Sequence, residues 1–282
     1  MNKVYVLFPN FKIKALTLSY DDGVRQDKRL ISIMQKHGLK GTFNINSGLF
    51  SSKYEGIEKG RMTEKEAYEL YNNSGMEVAV HGYKHFSLAR VEEGVATLDV
   101  IKDREKIENM FGKITKGMAY ANGSYSDSVV EMLKMCGINY SRTTVSTEKF
   151  DIPTDWLRLP ATCHHNNPRL MDLARDFVAI NDEDPKTYWK IKPALFYLWG
   201  HSYEFDNNNN WNVIEEFAEY IGGRDDVWYA TNGEIYDYLS ACDKLVFTAD
   251  GKKVYNPTCT TLYIHNYGKR FVIKPGETVD LG

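Results

Sequence analysis

Several features missing from this chain narrow its class before any motif is read. Its four cysteines, Cys136, Cys163, Cys242 and Cys259, are scattered and form no CxxC pair, which argues against a zinc knuckle and against a dense disulfide framework. Positive charge is not in excess: 35 Lys and Arg stand against 38 Asp and Glu, for a formal net charge of -3. Nothing in that balance would hold a phosphate backbone, so no nucleic-acid partner is expected. No window approaches the roughly 18 consecutive apolar residues of a membrane span. The opening residues, MNKVYVLFPNFKIKALTLSYDDG, lack a cationic flank followed by an apolar run. With reduced thiols as the plain reading, the expected location is the cytoplasm, or outside the cell if a leader has been trimmed away. Internal repeats are absent, and only Asn207 to Asn210 is low in complexity.

What is present suits one globular domain with a small addition. The chain has 282 residues, 43% of them hydrophobic and 26% charged, which excludes intrinsic disorder. Short apolar runs alternate with helical periods: KALTLSY, then 26 to 37; KGTFNIN, then 63 to 72; EVAV, then VEEGVATLDVIKDREKIENMF. The alternation continues through GMAYANG, 126 to 136, INYSRTT, 168 to 181 and PALFYLWG. About seven strand–helix units predict an α/β fold, a (β/α) barrel over residues 1–243, with reactive side chains at the C-terminal strand ends. From about Lys244 the pattern changes to apolar alternation with Asp250-Gly251 and Pro275-Gly276 turns, which predicts a small β appendage over 244–282.

Three polar clusters follow apolar runs. Asp21-Asp22-Gly23 ends the first, and adjacent side chains leave a strand on opposite sides, so the two carboxylates can take different roles; an Asp-Gly turn with a helix cap is the alternative. His81-Gly82-Tyr83-Lys84-His85 follows EVAV, where one helical turn would bring both imidazoles to one face, as metal ligation requires. Two imidazoles and a carboxylate leave an open position on a divalent cation, the layout of a catalytic site. His201, in Leu198-Trp199-Gly200-His201-Ser202-Tyr203-Glu204, ends the most apolar strand and is either a rim residue or a general acid.

In this order, LSYDDG, HGYKH about sixty residues later, AYANGSYS and a strand ending in WGH, the chain resembles the polysaccharide deacetylase family, carbohydrate esterase family 4 or NodB-homology fold, over roughly residues 14 to 240. The resemblance implies a distorted (β/α) barrel that removes acetyl groups from N-acetylated or O-acetylated carbohydrates with a divalent metal, commonly zinc, with cobalt, nickel or manganese as alternatives. It assigns Asp22, His81 and His85 as ligands, Asp21 as general base, His201 as general acid and the backbone N–H of Asn122 as oxyanion donor.

The departures from the family pattern matter as much. The third motif usually carries an Arg that orients the base, and that position is Ala119 here; Arg158 is the candidate substitute, with a surface salt bridge as its alternative. Asp155-Trp156 echoes the fourth motif, whose carboxylate tunes the acid His and whose Trp walls the acetyl pocket. His164 and His165 are read as rim or surface residues. Tyr120, Tyr125, Trp156, Arg158, Trp199 and Tyr203 are candidate substrate contacts; Tyr83 and Trp211 also flank the motifs, and core packing is the alternative for any of these aromatics. Two other functions stay open: a non-sugar amide hydrolase on the same barrel, and a catalytically silent carbohydrate binder. The oligomeric state is not read from the sequence.

Overall fold

The computed structural model describes residues 4–51, 60–181 and 192–282. In chain order the regular elements begin with β1 (Val4–Leu7), β2 (Lys14–Asp22), α1 (Asp27–Lys36), β3 (Gly41–Ile45), α2 (Glu64–Asn72), β4 (Glu77–Val80) and α3 (Glu93–Phe111). They continue through β5 (Gly117–Ala119), α4 (Asp127–Met135), β6 (Tyr140–Ser146), β7 (Leu159–Ala161), β8 (Cys163–His164), α5 (Leu170–Ala179) and β9 (Ala194–Gly200). Then come α6 (Tyr203–Asn207), α7 (Asn212–Ile221), β10 (Val227–Tyr229) and α8 (Asn232–Cys242). The last strands are β11 (Val246–Phe247), β12 (Lys253–Tyr255), β13 (Leu262–Asn266), β14 (Lys269–Ile273) and β15 (Thr278–Asp280).

The predicted alternation is present, and nearly every run maps onto its element within a few residues. β2 and β9 are buried along their whole lengths, as strands of a parallel sheet covered on both faces must be. Helix starts carry their own signals: Thr63 and Glu66 form a capping box on α2, and Thr231 and Glu234 form another on α8.

A nine-stranded parallel sheet runs in the order β7-β6-β5-β4-β3-β2-β9-β8, with β10 also pairing β2. Leu159–Ala161 pairs with β6 and Cys163–His164 pairs with β9, so one segment, bent at Thr162, receives both edges. The sheet curls onto this seam without a continuous ladder, and this is where the barrel is distorted. The expectation of a distorted α/β barrel of about seven strands holds, β7 and β8 acting as halves of one strand. Among the described residues, no helix is long and apolar enough to cross a membrane.

The appendage comprises two three-stranded sheets, β1-β13-β14 and β11-β12-β15, around Val254, Ile264, Ile273 and Leu281. β1 pairs antiparallel with β13, so the N-terminal strand joins the appendage although it precedes the barrel in the chain. The hydroxyl of Tyr238, on α8, donates to the Leu7 carbonyl at 2.6 Å and accepts from the Tyr263 amide at 3.1 Å, which fastens the appendage to the barrel.

Candidate active site

The C-terminal ends of β2, β4 and β9 converge on one polar cluster. Asp22, His81 and His85 each present a ligand atom, and these atoms lie within 4.8 Å of one another. His85 Nε2 is 3.5 Å from Asp22 Oδ1, and His81 Nε2 is 3.9 Å from the same oxygen. The two histidines meet through a turn, and here the expected single helical turn is corrected. Gly82 at φ +85 and His85 at φ +58 fold the chain back, and a Cβ on Gly82 would stand 2.6 Å from Asp99 Oδ2. Asp22 also takes a positive φ of 86, a costly conformation for a residue other than glycine and one that clusters at functional sites.

The donor chemistry of these three fits a divalent cation. His81 Nδ1 lies 2.8 Å from the Ala119 carbonyl; a carbonyl can only accept, so Nδ1 carries the proton and Nε2 turns its lone pair to the cluster. Burial, followed by the neighbouring His81, pushes the His85 pKa down to about 4, so that ring is neutral as a ligand must be. Asp103 of α3 accepts from the His81 backbone N–H at 3.0 Å and from the Ser47 N–H at 2.7 Å, fixing the strand end from beneath. Arg61 donates to the Asp22 carbonyl and, at 3.4 Å, to Asp22 Oδ1.

Asp21, the residue before Asp22 on β2, faces the same cluster, its Oδ2 as far from His81 Nε2, at 3.9 Å, as is Asp22 Oδ1. Its Oδ1 accepts from Asn44 Nδ2 at 2.9 Å and its Oδ2 from Arg142 Nη2, while His81 Nε2 and His201 Nε2 each lie 3.9 Å from Oδ2. Burial alone would raise this carboxyl, but Arg142, His81 and His201 outweigh it and hold the pKa at about 2. Arg142 lies in β6, in register with Ala119 of β5. The positive charge absent from residue 119 is therefore delivered to the same face from the adjacent strand. The Arg142 guanidinium lies 4.3 Å over the Trp199 ring, which gives it an aromatic seat. Arg158, the expected substitute, instead pairs with Asp127 and Asp155 at 2.6 and 2.7 Å on the surface; it precedes β7 and does not reach Asp21.

His201 follows β9 and directs Nε2 at Asp21. Burial opposes its charge, but the hydrogen bond to Glu204 and the Asp21 and Asp22 carboxylates outweigh it and raise the pKa. Tyr203 packs on His201 at 5.2 Å between ring centroids and, with Asp22, His85, Arg61, Asn207 and Val24, lines a cavity of about 680 Å³.

The other candidates divide. Asn122 sits on the turn after β5 at φ +56, its side chain donating to Ser87 Oγ at 3.0 Å. Tyr120 is a core residue rather than a substrate contact: it is buried, donates to the Leu157 carbonyl at 2.7 Å and stacks on half-buried Tyr125. Trp156 packs edge-on against Tyr236, which packs on Tyr140 at the start of β6, so it stands at the wrong end of the strands to wall an acetyl pocket. Trp199 is buried and serves Arg142. Trp211 donates to Asp206 on the outer helices, and Tyr83 lies under the Lys84 ammonium. His164 and His165 are half-buried and fully buried, because the bent seam turns both rings inward toward Glu204, at 3.3 and 2.9 Å.

Sequence reasoning missed Arg142, Arg61, Asn44 and Glu204. A signal existed for the first: Arg142 lies in the buried first half of β6, and a buried Arg needs an acid partner. Glu204, one helical turn after His201, offered a similar hint.

An Asp-His-His triad beside a second carboxylate and a histidine thus lies at the C-terminal ends of a curled parallel sheet, the face where such folds carry reactive side chains. A family model described as polysaccharide deacetylase matches residues 9–141, a stretch that includes Asp21, Asp22, His81, His85 and Asn122. No curated protein matches the chain. A provisionally assigned polysaccharide deacetylase from Mycobacterium smegmatis is 15% identical with a TM-score of 0.58, over 86% of this chain and 96% of its own. The family 4 carbohydrate esterase from Streptomyces lividans, in complex with acetate, is 12% identical with a TM-score of 0.52, over 78% and 93%. The Streptococcus pyogenes deacetylase PplD, in complex with acetate, is 21% identical with a TM-score of 0.43 over 50% of this chain, which spans only 62% of that protein. The first two share the fold.

Proposed function

We propose that this chain removes acetyl groups from an N-acetylated or O-acetylated carbohydrate, with a divalent metal, zinc first among the candidates, held by Asp22, His81 and His85. The observation that carries this reading is the convergence of the three ligand atoms within 4.8 Å beside Asp21 and His201, each with a nitrogen or oxygen aimed at the same space. A cation bound there supplies a Lewis acid that acidifies water and polarises an acetyl carbonyl.

The chain's own residues do the rest. Asp21, kept ionised by Arg142, takes the proton of the attacking water through its carboxylate, and Asn44 and Arg142 fix the direction of that carboxylate. The Asn122 N–H steadies the developing oxyanion on the side of β5. His201 holds a proton at Nε2 and delivers it to the departing sugar nitrogen or oxygen. The cavity beside Asp22, His85 and Tyr203 receives the sugar ring, with Tyr203 offering an aromatic face.

The silent-binder alternative drew its force from the missing Arg at residue 119. Arg142 supplies that charge, which favours turnover.

The test is acetate release from a panel of N-acetylated and O-acetylated oligosaccharides, with zinc or cobalt supplied, comparing the native chain with Asp21→Asn. Release that disappears in the variant supports the proposal; release from simple amides alone, or from nothing, overturns it.

A further inference from the structure

Behind His201 lies a second cluster that the proposed chemistry does not use. Glu204 Oε1 is 3.1 Å from His201 Nδ1. Its other oxygen accepts from Asn166 Nδ2 at 3.0 Å and lies 2.9 Å from His165 Nε2 and 3.3 Å from His164 Nε2. Three imidazoles and one amide therefore surround a single carboxylate.

The spacing of His164, His165 and Glu204 would also admit a cation, but the hydrogen bonds argue otherwise. The backbone N–H of Asn166 donates to His164 Nδ1 at 3.1 Å, so the proton of this neutral ring sits on Nε2, facing the carboxylate. A nitrogen that carries a proton offers no lone pair to a metal. Burial, followed by His165, pushes the His164 pKa down to about 4, in keeping with a neutral donor. His165 is rigid: it is fully buried and stacked between Phe205 at 4.2 Å and Tyr20 at 5.7 Å. It fills the space left by Gly200, where a Cβ would fall 2.0 Å from Nδ1.

We propose that Glu204 is the positioning residue for His201: anchored by His164, His165 and Asn166, it holds the Nδ1–H of His201 and thereby turns Nε2 toward Asp21. A carboxylate can only accept, so the proton on Nδ1 is fixed and exchange with the active-site space is confined to Nε2. Asp155, the expected tuning carboxylate, is occupied with the Leu157 N–H and Arg158. This inference rests on reading His201 as the acid.

The test compares the zinc-loaded native chain with Glu204→Gln and Asn166→Ala, using long-range proton–nitrogen spectra of the histidine rings, zinc stoichiometry and acetate release. In the native chain His201 should be protonated at Nδ1 whenever it is neutral. In Glu204→Gln the Nε2–H form should appear, kcat should fall about 10- to 100-fold with KM nearly unchanged, and one zinc per chain should remain. Asn166→Ala, which spares the fold if Gln at 204 does not, should show the same tautomer shift in smaller proportion. An unchanged His201 tautomer in both variants overturns the proposal, as does a second zinc that binds the native chain and is lost in Glu204→Gln. The spectra need no substrate, so failure of the deacetylase reading and failure of this one are separately visible.

Discussion

Replacing Arg142 with Met is the most demanding perturbation of this site, because it removes the charge while keeping a long apolar stem on Trp199. Asp21 is only 2% exposed, and without Arg142 its direct hydrogen-bond donor is Asn44. A buried carboxylate stripped of its partner costs about 3–5 kcal/mol, so the variant should unfold at measurably lower urea concentration. Burial then dominates the Asp21 pKa, which rises from about 2 and draws the loss of activity to higher pH. Loss of an oriented base costs on the order of 10²–10⁴ in rate, read as acetate release by the zinc-loaded chain. The register supplies the counter-experiment. Ala119 and Arg142 are paired across parallel strands and present side chains to the same face, so Ala119→Arg added to Arg142→Met should recover part of the lost rate. A single Arg142→Met variant that keeps its rate within about threefold and its full stability would refute the reasoning.

Other outcomes follow from the same geometry. His81→Ala should lose zinc and activity together by calorimetric titration and assay, whereas Asp21→Asn should keep zinc and lose rate. Gly82→Ala forces a side chain into a positive φ against Asp99 and should weaken zinc binding by about 10- to 100-fold while lowering the melting temperature. Asp27 is fully buried beside Ser202, Tyr71 and the Val24 amide, and burial raises its pKa to about 7. Because the folded value exceeds the unfolded value of 3.8, its contribution is fully present below about pH 4 and is lost as pH rises to about 7, a span of up to about 4 kcal/mol. Asp27→Asn, whose amide oxygen can still accept as the Asp27 carboxylate does from Ser202, should flatten that part of the stability curve in denaturant titrations from pH 4 to 8; an unchanged slope would refute the assignment.

The fold was legible because its signals are local. Apolar runs such as KALTLSY and PALFYLWG, separated by amphipathic stretches, specify parallel strands and covering helices one unit at a time. The candidate ligands were legible for a related reason: Asp22 ends β2, His81 directly follows β4 and His85 lies four residues further on, where a barrel collects its chemistry. Less legible was anything set by a bend. His165 reads as surface from its neighbours, yet the kink at Thr162 turns it into the core. Trp156 reads as a pocket wall, yet it lies before β7 and packs on Tyr236. Pairing of β1 with β13 joins residues from opposite ends of the chain, and no local pattern announces it.

The two largest misreadings share a cause. Asp155 is read at the place of the family's fourth motif and Arg158 as a substitute for the arginine missing at Ala119, both by position along the chain. What the chemistry needs, however, is charge at a point in space: a cation within hydrogen-bond reach of Asp21, and an acceptor on Nδ1 of His201. A side chain as long as Arg can reach Asp21 from β5 or from its neighbour β6, because adjacent strands lie only about 4.8 Å apart and register partners face the same way. A Glu three residues beyond His201 meets the imidazole because residues one helical turn apart share a face. Each site requirement therefore has more than one solution in sequence, and an empty position in a motif is evidence of lost function only after the neighbouring strand and the next helical turn have been searched for the same charge.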